Sequence, residues 1–260
     1  MTAAPRIIVT NDDGIESPGL HALAMALSDR YEVIVAAPAV DMSGSGTGIG
    51  RFEIDMGVEL TPVDLDGIPA AYSIDGPPGL AVTAAALGAF GPRPEMVVSG
   101  INAGINTGHS IIHSGTVGAA LTARTFKMKG LAVSLSQSDP WQWSTAARVA
   151  SSVADWLLAR KTSPHVLNVN VPGLPIDEIK GVHWADLDEF GYIRVATADV
   201  EDRRLQFVVK SHDSTSDPGS DTVLCSEDYV TLTPLSSVEP APFPDEPAND
   251  IWSPNGAGVV

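Results

Sequence analysis

"IIVTNDDGIESPG" runs from Ile7 to Gly19, and its reading decides how the rest of the chain is organised. Ile7, Ile8 and Val9 are consecutive and β-branched, the pattern of a strand buried on both faces. Asn11, Asp12, Asp13 and Gly14 break that run. Pro18 then precedes Leu20, Leu23, Ala24 and Leu27, whose i, i+3, i+4, i+7 spacing is helical, with proline in the first turn. The acid pair therefore falls where a buried strand ends and a helix is about to begin. Ligands bind at the carboxyl ends of strands in open α/β sheets. An Asx turn that caps the connection explains the stretch equally well on its own.

Outward from this segment, apolar runs at 6–10, 32–37, 95–99, 130–136 and 165–171 read as strands. Helical patterns at 18–29, 77–90, 115–127 and 143–160 fall between them. Such alternation predicts an α/β fold with a doubly wound, mostly parallel sheet covered on both sides. Residues 1–172 form this core. The stretch 51–75 holds shorter β-like pieces, and from about residue 175 the helical periodicity stops. "VHWADL", "YIRVATA", "LQFVVK" and "YVTLTPL" then read as strands of a β-rich extension over 173–236, its last strand returning to the core. Residues 237–260 contain five prolines, four acids and no Lys or Arg, the composition of a poorly ordered or surface-hugging tail.

With 260 residues, 44% of them hydrophobic, the chain can build one large core. Its 32 acidic and 15 basic residues give a net charge of −17, which argues against binding nucleic acid polymers or anionic membranes. A small phosphorylated substrate is compatible with that charge if a metal ion and backbone N–H groups supply local positive potential. Cys225 is the single cysteine, so neither a disulfide framework nor a cysteine zinc cluster is expected. No apolar run reaches transmembrane length and no signal peptide is evident, so the expected setting is cytoplasmic.

Three glycine-rich loops each follow an apolar strand: 11–19, "AVDMSGSGTGIG" at 39–50, and "INAGINTGHSIIHSGTVGAA" at 101–120. If those strands are neighbours, one site collects Asp12, Asp13, Ser43, Asn102, Asn106 and the Ser114–Gly115–Thr116 turn. Every side chain in that set offers oxygen and none sulfur, which suits Mg²⁺ or Mn²⁺ better than zinc. "HSGTVGAA" reads as a helix start, with Ser114 or Thr116 near the cap and free N–H groups suited to phosphate. His109 and His113 read as polar loop residues. Asn168 and Asn170 alternate with valines and read as one face of an edge strand. "VDLDG" at 63–67 offers a rival, an aspartyl-phosphate mechanism on Asp64, but Pro62 and Pro69 around it favour a turn.

"VTNDDGIESPGL", "VAAPAVDMSGSG", "VVSGINAGINTG" and "HSGTVGAA" together resemble the four signature segments of the SurE survival-protein family. The resemblance is strong over roughly residues 6–136, and "LNVNVP" and "YVTLTPL" continue it in order. It implies a Rossmann-like core, a β-rich extension that helps form homodimers or homotetramers, and a divalent metal at the sheet edge. The family's metal-ligand positions fall on Asp12, Asp13, Ser43 and Asn102, and its phosphate-contacting positions on Asn106, Ser114, Gly115 and Thr116. Where the family usually reads like "GTPADCV", this chain has "GPPGLAV" at 76–82, without the Thr, Asp and Cys.

The function expected is a 5′/3′-nucleotidase. It would be a phosphoric monoester hydrolase that cleaves nucleoside monophosphates with metal-activated water, using Asp12 and Asp13 and one Mg²⁺ or Mn²⁺ per subunit. A catalytically weak nucleotide or phosphate binder is the alternative from another class. An Asp64-dependent phosphatase ranks behind it.

Overall fold

The structure, a computed structural model, describes residues 4–51, 57–160, 165–189, 193–201, 204–211, 217–236 and 238, with the backbone alone in 193–201 and 204–211. Apart from residue 238, the proline-rich stretch 237–260 lies outside the described residues.

At the centre lies β1 (Arg6–Thr10), paired in parallel with β2 (Glu32–Pro38) on one side and with β5 (Met96–Ala103) on the other. Beyond β2, β4 (Ala71–Ile74) is parallel and β3 (Leu60–Pro62) closes the edge as its antiparallel hairpin partner. In the other direction β6 (Lys129–Leu135) and β7 (Val166–Val171) continue in parallel from β5. β11 (Tyr229–Leu235) then returns antiparallel to β7, and β8 (Gly181–Trp184) pairs with it at the far edge. Among the described residues these strands make one nine-stranded sheet, while β9 (Ile193–Glu201) and β10 (Arg204–Ser211) form a separate antiparallel pair.

The apolar runs are continuous because both faces of the sheet are covered. Ile7 and Val9 point to a cluster that takes in α1 (Pro18–Ser28) and α4 (Trp143–Leu158), whereas Ile8 points to one that takes in α2 (Pro78–Ala86) and α3 (Gly115–Thr125). All three side chains are 0% exposed. Each such aliphatic burial stabilises by roughly 1.5–3 kcal/mol.

The chain winds outward from β1 through β2 and β4, then crosses back to begin β5 on the other side of β1. That reversal is the topological switch point, where doubly wound sheets open a crevice at their carboxyl ends. Here β5 also carries a bulge. Ser99 sits opposite Ala132, but Asn102 sits opposite Ser134, so three steps on β5 match two on β6. Gly100, inside the bulge, has φ +135°, and a Cβ there would run into the Val133 carbonyl oxygen. Only glycine fits that position.

Two expectations need correction. β7, read as an edge strand, is internal, because β11 pairs with its outer side. The region after residue 175 also contains a helix, α5 (Asp221–Ser226), whose single six-residue turn and a half is too short to show a 3.6-residue period.

Candidate active site

Asp12 ties together the three loops that leave β1, β2 and β5. Its main-chain carbonyl accepts the Met42 N–H of the second loop at 2.7 Å. Its carboxylate faces the third loop: Oδ2 accepts the Gly115 N–H at 3.0 Å, and Oδ1 accepts the Thr116 hydroxyl. The same Thr116 oxygen lies 3.2 Å from Asn102 Oδ1. A Cβ at Gly115 would sit 2.7 Å from Asp12 Oδ2, so glycine is what admits the carboxylate to the helix end. There the partial positive charge at the start of α3 favours it. Asp12 and Thr116 are both buried.

Asp13 differs from its neighbour. Its Oδ2 is buried and has no hydrogen-bonding partner. Burial, and then the charge of Asp12, push its carboxyl up to about 6, with a further push from Asp41 and an opposing pull from the Ala103 N–H. A desolvated carboxylate oxygen beside a like charge is a position that a cation satisfies. The available neighbours are also oxygen donors, as a hard divalent ion requires. Among the described residues no group of three or more His, Cys, Asp or Glu could hold a metal, so a cation here would rely on the acid pair completed by neutral oxygens.

The other candidates are placed as follows. Ser43 is exposed on the second loop, and its N–H and hydroxyl both donate to Asp41 Oδ1, at 2.8 and 2.6 Å. Those two bonds hold the Asp41 carboxyl below its usual range. Asn102 follows the β5 bulge and donates through Nδ2 to the Gly104 carbonyl at 2.7 Å, leaving Oδ1 towards Thr116. Ser114 is the N-cap of α3, its Oγ accepting the Val117 N–H at 3.2 Å. The N–H groups of Gly115 and Val117 are therefore engaged by Asp12 and Ser114 respectively. His109 and His113 are exposed on a 3₁₀ turn. Asp64 is exposed in the connection leading into the amino end of β4, whereas the three loops gather at the carboxyl ends.

Asn106 is the most tightly held of the set. Its main-chain N–H donates to Asn170 Oδ1 at 2.8 Å, and its carbonyl accepts from Asn168 Nδ2 at 2.8 Å and Asn170 Nδ2 at 2.9 Å. Its own Nδ2 donates to Ser134 Oγ at 2.9 Å. Beside it opens a cleft of about 530 Å³, also lined by Gly104, Thr107, Ser110, Ser136 and Gln137. Two residues on, the Gly108 N–H donates to Asp221 Oδ2 at 3.0 Å, and the buried Asp221 carboxylate also accepts the Asp188 and Thr222 N–H groups. The C-terminal extension thus anchors the loop that carries Asn106.

Asp41, Ser134 and Asp221 carry no signal of a site in the sequence, and Asn168 and Asn170 read there only as one face of an edge strand. The two buried asparagines did leave a signal there, as carboxamides alternating with valines.

Fold and site together define a doubly wound α/β protein that gathers an acid pair and a helix N-terminus at its topological switch point. The family model described as "Survival protein SurE" matches residues 7–193. The protein named 5′-nucleotidase SurE from Alkalilimnicola ehrlichii is 36% identical over 235 residues, 88% of either chain. Its namesake from Pseudomonas entomophila is 34% identical over 234 residues, 88% of this chain and 91% of its own. The crystal structure of the SurE protein from Aquifex aeolicus matches with a TM-score of 0.74 at 29% identity, covering 89% of this chain and 93% of its own. The chain belongs to the SurE family.

Proposed function

We propose that the protein is a phosphomonoesterase that hydrolyses nucleoside 5′- and 3′-monophosphates with the help of one divalent cation per subunit, Mg²⁺ or Mn²⁺. The observation that carries this reading is the unpaired, buried Asp13 oxygen next to Asp12 at the switch point. The names of the relatives, 5′-nucleotidase SurE, support the substrate class.

Asp12, Asp13, Ser43 and Asn102 would hold the cation. When bound, it supplies positive charge to a phosphoryl oxygen and lowers the pKa of a water. Asp12 is fixed by the Gly115 N–H and the Thr116 hydroxyl, so its role is to set the geometry. Asp13, with one oxygen free of protein partners, would help position the attacking water. Asn106, Ser114 and the positive end of α3 would neutralise the charge that builds on the phosphoryl oxygens as the P–O bond to the nucleoside breaks, while Gly115 and Thr116, engaged by Asp12, take part through the helix end they form. Residues 1–172 form the catalytic core. The 173–236 extension carries subunit contacts in a cytoplasmic homodimer or homotetramer.

The test is phosphate release from a panel of nucleoside 5′- and 3′-monophosphates in the presence of Mn²⁺ or Mg²⁺. Turnover of at least one member is expected. Saturable binding of the panel without release would mean a nucleotide binder instead.

A further inference from the structure

We propose that Ser134, Asn168 and Asn170 are positioning residues for phosphate recognition and act through Asn106. This rests on the reading of Asn106 as a phosphoryl contact.

Burying these three polar side chains is costly. All three side chains are 0% exposed, on strands whose other buried positions are mostly aliphatic. Polar groups at such positions destabilise the fold unless they are hydrogen-bonded, and their bonds show what they serve. Here the bonds converge on a single residue outside the sheet. Ser134 accepts from Asn106 Nδ2, Asn168 donates to the Asn106 carbonyl, and Asn170 both donates to that carbonyl and accepts the Asn106 N–H.

Asn170 accepts and donates at once through the two atoms of its amide, which an ionised Asp, a Leu or a Val at that position could not do. The N–H and C=O of one residue point the same way when the chain is extended, and the Asn170 amide engages both. Register places these groups level with the metal-ligand candidate, since Ser134 lies opposite Asn102 on one side and Asn170 on the other. With its backbone clamped and one N–H of Nδ2 bound to Ser134, Asn106 keeps a second amide N–H at the edge of the cleft. A donor held in place before substrate arrives costs no reorganisation during reaction.

The test is a pair of double-mutant cycles, Asn106→Ala with Asn170→Ala and Asn106→Ala with Ser134→Ala. Phosphate release is measured from AMP and from p-nitrophenyl phosphate at saturating Mn²⁺, and Mn²⁺ affinity by calorimetry. Asn170→Ala and Ser134→Ala should each lower kcat/KM for both substrates by roughly ten- to a hundredfold, while Mn²⁺ affinity stays at its wild-type value. Each double variant should be no slower than Asn106→Ala alone, because groups acting through one residue are not additive. Additive losses, or unimpaired Asn170→Ala and Ser134→Ala beside an impaired Asn106→Ala, would overturn the proposal. An Asn106→Ala protein as active as wild type would instead remove the phosphate role of Asn106 itself. If Asn170→Ala does not fold, the Ser134→Ala cycle decides alone, since it deletes a single hydroxyl.

Discussion

Asp12 and Asp13 are adjacent in the chain but differently solvated, and that contrast sets what each can do. Asp12 spends its carboxylate on the helix end and on Thr116, whereas Asp13 keeps an oxygen buried and unpaired. Asp12→Asn should lower Mn²⁺ affinity and turnover by at least about a hundredfold, as loss of a ligand exceeds loss of a supporting group, with the circular dichroism spectrum unchanged. Asp64→Asn should keep near-normal activity. An inactive Asp64→Asn beside an active Asp12→Asn would transfer the chemistry to the aspartyl-phosphate rival. Asp13 also predicts a pH dependence in the metal-free protein. Its carboxyl is raised from 3.8 to about 6, so between these values the folded state holds the proton longer than the unfolded chain does. The Asp13 contribution to stability is therefore fully present below about pH 4 and lost as pH rises to about 6. In urea titrations with chelator, the wild type should lose stability across that window relative to Asp13→Asn. Parallel profiles would contradict the burial of Asp13. The acid pair was legible in the sequence because two carboxylates after a buried strand are chemically conspicuous. Asn168 and Asn170 were visible but misjudged, because nothing local to "LNVNVP" reveals that a strand some sixty residues later covers its outer side.

Among the elements, the bulge in β5 is what presents Asn102 to Thr116, the residue whose hydroxyl also binds Asp12. Gly100 combines φ +135° with no room for a Cβ against Val133. Gly100→Ala should destabilise the protein by about 1–3 kcal/mol and weaken Mn²⁺ binding by displacing Asn102. Denaturant titration and calorimetry on one preparation measure both. Unchanged Mn²⁺ affinity would mean that the bulge does not serve the site. The strand–helix alternation was readable because burial on both faces leaves unbroken apolar runs, and the four long helices fall within their expected spans. The bulge was not readable, since the apolar run reads as ending at 99 and "INAG" as the start of a loop, whereas pairing with β6 carries the strand on to Ala103 with an extra residue. The same holds for α5, whose role depends on the N–H groups that Asp221 accepts from distant loops.

At the scale of the whole molecule, a net charge of −17 leaves little long-range attraction for phosphate, so recognition depends on positive potential created locally at the switch point. No described helix is long and apolar enough to cross a membrane. The far edge of the sheet ends on β8, where Val182 is 58% and Trp184 55% exposed, and the β9–β10 pair stands as a sheet of its own. Unpaired edges and exposed aromatics call for covering. We therefore expect at least a dimer, with deletion of the 190–225 arm affecting assembly more than deletion after Ser236. Light scattering coupled to size-exclusion chromatography should give a multiple of the 27.1 kDa chain mass, and a mass near that of one chain at micromolar concentration would refute the expectation.

The claim on which the rest depends is that the pair Asp12–Asp13 works only with a divalent cation. The most direct measurement is phosphate release from nucleoside monophosphates by protein stripped with chelator and then titrated with Mn²⁺ or Mg²⁺. The expected result is no release after stripping and full recovery as the ion is restored. Undiminished release after exhaustive chelation would contradict it.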